Sequence, residues 1–149
     1  VSQIFDFYDK PGYLQEITRA ANDANVSDDL TYIAMGYDVG VPEIATMTDA
    51  LIGAASRGAK ARLVVDAYCF IFDSKEKLGT MFTKGDIVPD KLTGSFRKTY
   101  EKLEQLKAAG GTYYITNKPN RAFRFPYAGR SHIKLAIIND RLFIGGCNF

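Results

Sequence analysis

A chain of 149 residues, 46% hydrophobic and 24% charged, is long enough for one domain with a substantial core and too short to expect two. It contains no run of eighteen apolar residues that would span a membrane as a helix. Residues 1–10 carry two aspartates and no basic segment ahead of an apolar stretch, unlike a signal peptide. A single histidine and two cysteines far apart, Cys69 and Cys147, do not give zinc spacing, so neither metal nor cofactor is expected. The two cysteines read as buried free thiols ahead of a disulfide. The net charge of +2 hides an asymmetry: residues 1–60 hold nine acidic and four basic side chains, residues 61–149 eight acidic and fifteen basic. Six of those bases (Lys118, Arg121, Arg124, Arg130, Lys134 and Arg141) fall between residues 118 and 141 against one acid, Asp140. Such a field concentrates anions such as phosphates, although a solvated basic loop explains the charge equally well.

In chain order, Asp9 and Pro11 predict a helix start, and Leu14, Ile17, Ala20, Ala21 and Ala24 give that helix an apolar stripe. Residues 25–29 are a turn cluster. Residues 30–37 (LTYIAMGY) read as a strand, apolar enough to be buried on both faces. Pro42 opens a second helix with Ile44, Met47, Leu51, Ala54 and Ala55 inward, ending at Arg57 and Gly58, where glycine takes the left-handed cap. Residues 60–68 (KARLVVDAY) form the next strand, and strand, helix, strand over this length predicts a parallel βαβ unit.

Residues 69–94 lack a clean period and read as a loop with short helical pieces. A third helix over residues 96–109 is stopped by Gly110 and Gly111, and a strand follows over residues 112–116. Residues 117–130 form an irregular basic and aromatic loop, in which Phe123, Phe125 and Tyr127 alternate with Arg121 and Arg124. These aromatics fit either base or lipid contact or packing onto the core. Asp66, at a strand end, reads as a capping or solvated residue ahead of a site residue. Tyr32, Tyr37 and Tyr68 read as core or rim residues. The pattern as a whole predicts an α/β fold, a mixed β-sheet flanked by helices on both faces, in a single domain over residues 1–149.

The last segment carries the chemistry. Residues 132–138 and 141–144 are apolar strands separated by Asn139 and Asp140, residue types that tolerate a two-residue hairpin turn. Side chains alternate along a strand, so His132 and Lys134 share a face roughly 7 Å apart. A turn at Asn139 and Asp140 sets Ile138 against Arg141, Gly145 against Lys134 and Cys147 against His132. The return strand then brings Gly145, Gly146 and Asn148 to the His–Lys pair. Glycines leave room for a bulky anion, and a lysine ammonium and an asparagine amide are donors for phosphate oxygens. A neutral imidazole can attack phosphorus and form a covalent intermediate.

RSHIKLAIINDRLFIGGCNF resembles the first H-x-K motif of the phospholipase D superfamily, with a G-G-x-N tail similar to that of its cardiolipin-synthase-like branch. The resemblance extends upstream to DVGVPEIATMTDALIGAASRGAKARLVVD and LKAAGGTYYI, and so covers nearly the whole chain. It implies a phospholipase D half-domain acting on a phospholipid or other phosphodiester without metal. His132 would be nucleophile or general acid, Lys134 and Asn148 would hold phosphate oxygens, and Gly145, Gly146 and Arg130 would line the phosphate site. It also implies a second H-x-K half-domain as partner, from a longer chain in preference to a homodimer, and possible peripheral membrane contact. An endonuclease homodimer and a noncatalytic phosphate- or partner-binding half are the competing expectations. The family aspartate five residues after the lysine is replaced by Asn139, with Asp140 next to it, and the segment from there to the glycines is one residue short.

Overall fold

The computed structural model describes residues 9–70, 82–83, 86–118 and 132–146. Helix α1 (Lys10–Asp23) starts where the sequence predicts: the Asp9 carboxylate accepts the Gly12 N–H at 2.9 Å, and Pro11 sits in the first turn. Leu14, Ile17, Ala21 and Ala24 are buried, together with Tyr13. Helix α2 (Pro42–Ser56) buries Ile44, Met47, Leu51, Ala54 and Ala55, as its periodicity requires. It ends in Gly58 at φ +93°, a conformation that costs a side chain with a Cβ but not glycine. Arg57, at this helix end, also serves α1: its guanidinium donates to the carbonyls of Ala21, Asn22 and Ala24 at 2.8–2.9 Å, satisfying acceptors the helix itself leaves open.

Strands β1 (Asp29–Ala34) and β2 (Lys60–Asp66) flank α2 and pair in parallel, Asp29 against Lys60 through Ala34 against Val65. A two-strand hairpin, β3 (Phe82–Thr83) with β4 (Asp86–Ile87), and 3₁₀ turns at Ala67–Phe70 and Pro89–Lys91 occupy the stretch without sequence periodicity. Helix α3 (Gly94–Ala108) leads into β5 (Thr112–Thr116), parallel to β2. Strands β6 (Lys134–Ile138) and β7 (Arg141–Ile144) form the expected hairpin, and β6 enters the sheet antiparallel to β1. The sheet order is β5-β2-β1-β6-β7, a mixed α/β sheet. No helix among the described residues is long and apolar enough to cross a membrane.

Strand β6 begins at Lys134, which leaves His132 ahead of the strand expected over residues 132–138. Three further expectations change. First, β1 stops at Ala34: Tyr37 leaves the strand and is buried beside α2, its hydroxyl 2.6 Å from Thr48 Oγ1. Second, β2 stops at Asp66, and the next four residues wind into a 3₁₀ turn. Third, burial of β1 alternates instead of being continuous. Leu30, Tyr32 and Ala34 are buried on one face, while Asp29, Thr31 and Ile33 are half-exposed on the other. The cause is the placement of the helices. Both βα crossovers run the same way across the sheet, which puts α2 and α3 on one side. Helix α1 packs beside α2 there, so all three described helices cover a single face and the expected second helical layer is not among the described residues. Burying a side chain such as Leu63 or Leu103 in this interface contributes roughly 2 kcal/mol.

Across the layer, Glu16 of α1 accepts from Arg19 at 2.6 Å and from Arg141 of β7 at 2.7 Å. These bonds hold its carboxyl down at about 2, against an ordinary value of 4.5. A depressed carboxylate contributes stability above its unfolded value, and that contribution is lost as pH falls through the folded one. The denaturation midpoint should therefore decline between pH about 4.5 and about 2, and Glu16→Gln should flatten that decline in a pH series of urea titrations.

Candidate active site

The parallel strands end at Ala34, Asp66 and Thr116, and this carboxyl edge is where open α/β sheets bind ligands. Because β6 runs against β1, its first residue reaches the same edge: Lys134 lies beside Ala34. The hairpin register is the one the sequence predicts. Ile138 faces Arg141 and Leu135 faces Ile144, and the Gly145 N–H donates to the Lys134 carbonyl at 3.3 Å, setting Gly145 opposite Lys134. His132 is exposed at the rim, and the Lys134 ammonium donates to the His132 carbonyl at 3.0 Å. Gly146 is exposed, with open space where a Cβ would stand. Arg130, Cys147 and Asn148 lie outside the described residues, as do Arg121, Phe123, Arg124, Phe125 and Tyr127.

The helices strengthen this edge electrostatically. Each of α1, α2 and α3 ends beside the start of the strand that follows it, so all three begin at the carboxyl edge and point their positive dipole ends that way. Val41 and Thr93, the caps of α2 and α3, make no side-chain bond to the first turns, which leaves backbone donors there.

Tyr13 is the neighbour that sequence reasoning missed. Its ring lies 3.3 Å from where a Gly145 Cβ would stand, packs edge-on against Phe143 at 6.3 Å, and its hydroxyl donates to the Phe143 carbonyl at 3.4 Å. A side chain at 145 would therefore crowd the Tyr13 ring of α1. The signal for Tyr13 was its place on the α1 stripe one residue before Leu14, which says buried but does not say against what.

Asn139 stands at φ +54°, as the first central position of a primed hairpin turn requires. Its N–H donates to the Asp29 carbonyl at 2.8 Å, its Oδ1 accepts the Asp29 N–H at 2.9 Å, and its Nδ2 donates to Asp28 Oδ1 at 2.8 Å. The residue therefore bolts the turn to the start of β1, roughly 17 Å along the strand from Lys134. Asp140, its exposed turn partner, completes the tight connection. Hydrogen bonds from the Asn25 N–H and from Asn139 hold the Asp28 carboxyl below its ordinary range.

Asp66 is buried at 1% exposure, so it is not a solvated aspartate. It accepts the Tyr68 N–H at 2.8 Å and the Asn117 amide, capping the 3₁₀ turn and holding the exit of β5. Tyr32 and Tyr37 are core residues whose burial pushes their phenols well up, which removes them as proton donors or acceptors near neutrality. Cys69 is a buried free thiol, raised by burial and by Asp66, and is inert for the same reason. No group of three metal-ligating side chains occurs among the described residues. No protein family, curated protein or solved structure gives a significant match to the chain.

Asparagine at 139 suits this fold better than aspartate, because only the amide can donate to Asp28. Asn139→Asp should lower the urea midpoint at pH 7, and adding Asp28→Asn should restore most of it. Gly145→Val, forced against the Tyr13 ring, should destabilise by about 1–3 kcal/mol in the same titration.

Proposed function

We propose that the His132–Lys134 edge is one half of a phosphodiester-transfer site, acting on phospholipids through a phosphohistidine. The supporting observation is the hairpin register, which sets Gly145 opposite Lys134 at the carboxyl edge of the sheet. Lys134 offers a cation, Gly146 leaves open space for the approach of an anion, and three helix dipoles favour negative charge at this edge.

In this reading a His132 imidazole nitrogen attacks phosphorus in line and the P–O bond to the leaving alkoxide breaks. The alkoxide takes a proton from a second histidine. Because His132 is the only histidine in the chain, that proton donor comes from a second H-x-K half-domain. Water or an alcohol then attacks the phosphohistidine, gives its proton to the same second histidine and releases His132. Lys134, with Arg130 and Asn148, holds nonbridging oxygens, and binding puts the protein at a lipid surface. The preference for lipid over nucleic acid rests on the resemblance of R-x-H-x-K and G-G-x-N to the cardiolipin-synthase-like branch. The position of Asn139, bolted to β1 far along the strand from Lys134, argues that its replacement of the family aspartate leaves the His–Lys pair intact.

The test is a covalent trap. The protein, together with its second half-domain, is incubated with phosphatidylglycerol vesicles and quenched in alkali, where phosphohistidine survives. Mass spectrometry should find a phosphatidyl adduct on His132, and His132→Ala should lower turnover by at least about a thousandfold. Full turnover in His132→Ala would identify the chain as a noncatalytic binding half. An adduct formed only from an oligonucleotide substrate would make it a nuclease.

A further inference from the structure

The face of the sheet opposite the helices carries an apolar row across all five strands. Tyr114, Val64, Ile33, Leu135 and Ile144 form one continuous cross-strand row, since each is the registered partner of the next. Thr31, Ile137 and Leu142 form part of the adjacent row. Ile144 is 72% exposed, Tyr114 58%, Leu142 57% and Ile137 39%. These four alone show about 500 Å² of largely apolar surface to water, toward the upper end for the largest patch on a monomer. Three of the five strands, β5, β2 and β1, run parallel, and parallel strands are usually covered on both faces.

We propose that this face is the contact surface between two copies of the chain, packed sheet against sheet. The charges on the face select against other occupants. Arg62, which stands beside Thr31 in the adjacent row, donates to both carboxylate oxygens of Asp29, at 2.8 and 2.7 Å, and to Thr31 Oγ1 at 3.0 Å, so its charge is paired. Lys60, opposite Asp29 where the strands begin, is a further cation on this face. An anionic membrane or a nucleic acid would need a cationic surround that these residues do not provide.

A second copy carries the same rows, and a twofold axis lets each patch meet its own image without an unpaired charge. Sheets packed face to face sit about 10 Å apart, with side chains interdigitating. Two such patches remove roughly 1,000 Å², the lower bound for a specific interface, and the half-buried Ile33, Val64 and Leu135 add to it. Lys134 belongs to the opposite, helix-covered side of the sheet, in register with buried Ala34. This dimer therefore leaves the two candidate sites apart, and it stands or falls independently of the phosphodiester reading.

The test is sedimentation velocity over a concentration series. The wild type should shift from monomer to dimer as concentration rises. Leu142→Lys with Ile144→Lys should raise the dimer dissociation constant roughly 100-fold or more, with an unchanged circular dichroism spectrum because both residues are exposed. Tyr114→Arg, at the other end of the row, should do the same and serves as an independent variant. A wild type that stays monomeric throughout, or a dimer that persists in both variants, overturns the proposal. So does a monomer that floats with phosphatidylglycerol vesicles and loses that binding in both variants, which would make the face a lipid surface.

Discussion

Strand β6 lies against β1 from Leu30–Ile138 to Ala34–Lys134, and an antiparallel pair fixes register residue by residue. A slip of one position would turn Ala136 and Ile138 out of the core and carry Lys134 to the uncovered face. The apolar side of β6 thus determines where its one cation stands, and the hairpin then determines where Gly145 stands. Asn139 secures the far end of this arrangement with three hydrogen bonds to the start of β1, so the turn is an anchor as well as a connection.

The helical layer does two jobs at once. It closes the core over Leu30, Tyr32, Leu63, Val65 and Ala136, and its direction is dictated by the crossovers, so all three helices begin at the edge where Lys134 lies. Structural packing and the potential felt by an anion are therefore coupled. Tyr13 shows the coupling in one residue: it is a core side chain of α1, yet its ring sets how close anything larger than glycine can come at position 145.

The two faces of the sheet divide the molecule by polarity of purpose. On one side the buried Tyr37 hydroxyl is paired with Thr48 Oγ1. On the other side an apolar surface meets water, interrupted by the Arg62–Asp29 pair. A sheet with this asymmetry is incomplete as a hydrophobic object, and that incompleteness carries the interface argument.

The sequence by itself determined the three helices, the strands of the five-stranded sheet apart from their ends, and the hairpin register, because each depends on local signals: Asp9 and Pro11 at a helix start, Gly58 at an end, and the turn residues Asn139 and Asp140. It also determined that Gly145 would stand opposite Lys134. It did not determine that β6 inserts beside β1, that the three described helices share one face, or that Tyr13 covers Gly145. The first and last depend on contacts between residues a hundred or more positions apart, such as Asp29 with Asn139 and Tyr13 with Phe143, and the second on how the crossovers run across the sheet; no local pattern exists for either. The reading of residues 30–37 as a strand buried on both sides failed for the same reason. An apolar run reports how hydrophobic a strand is, and only the tertiary structure decides which of its faces is covered.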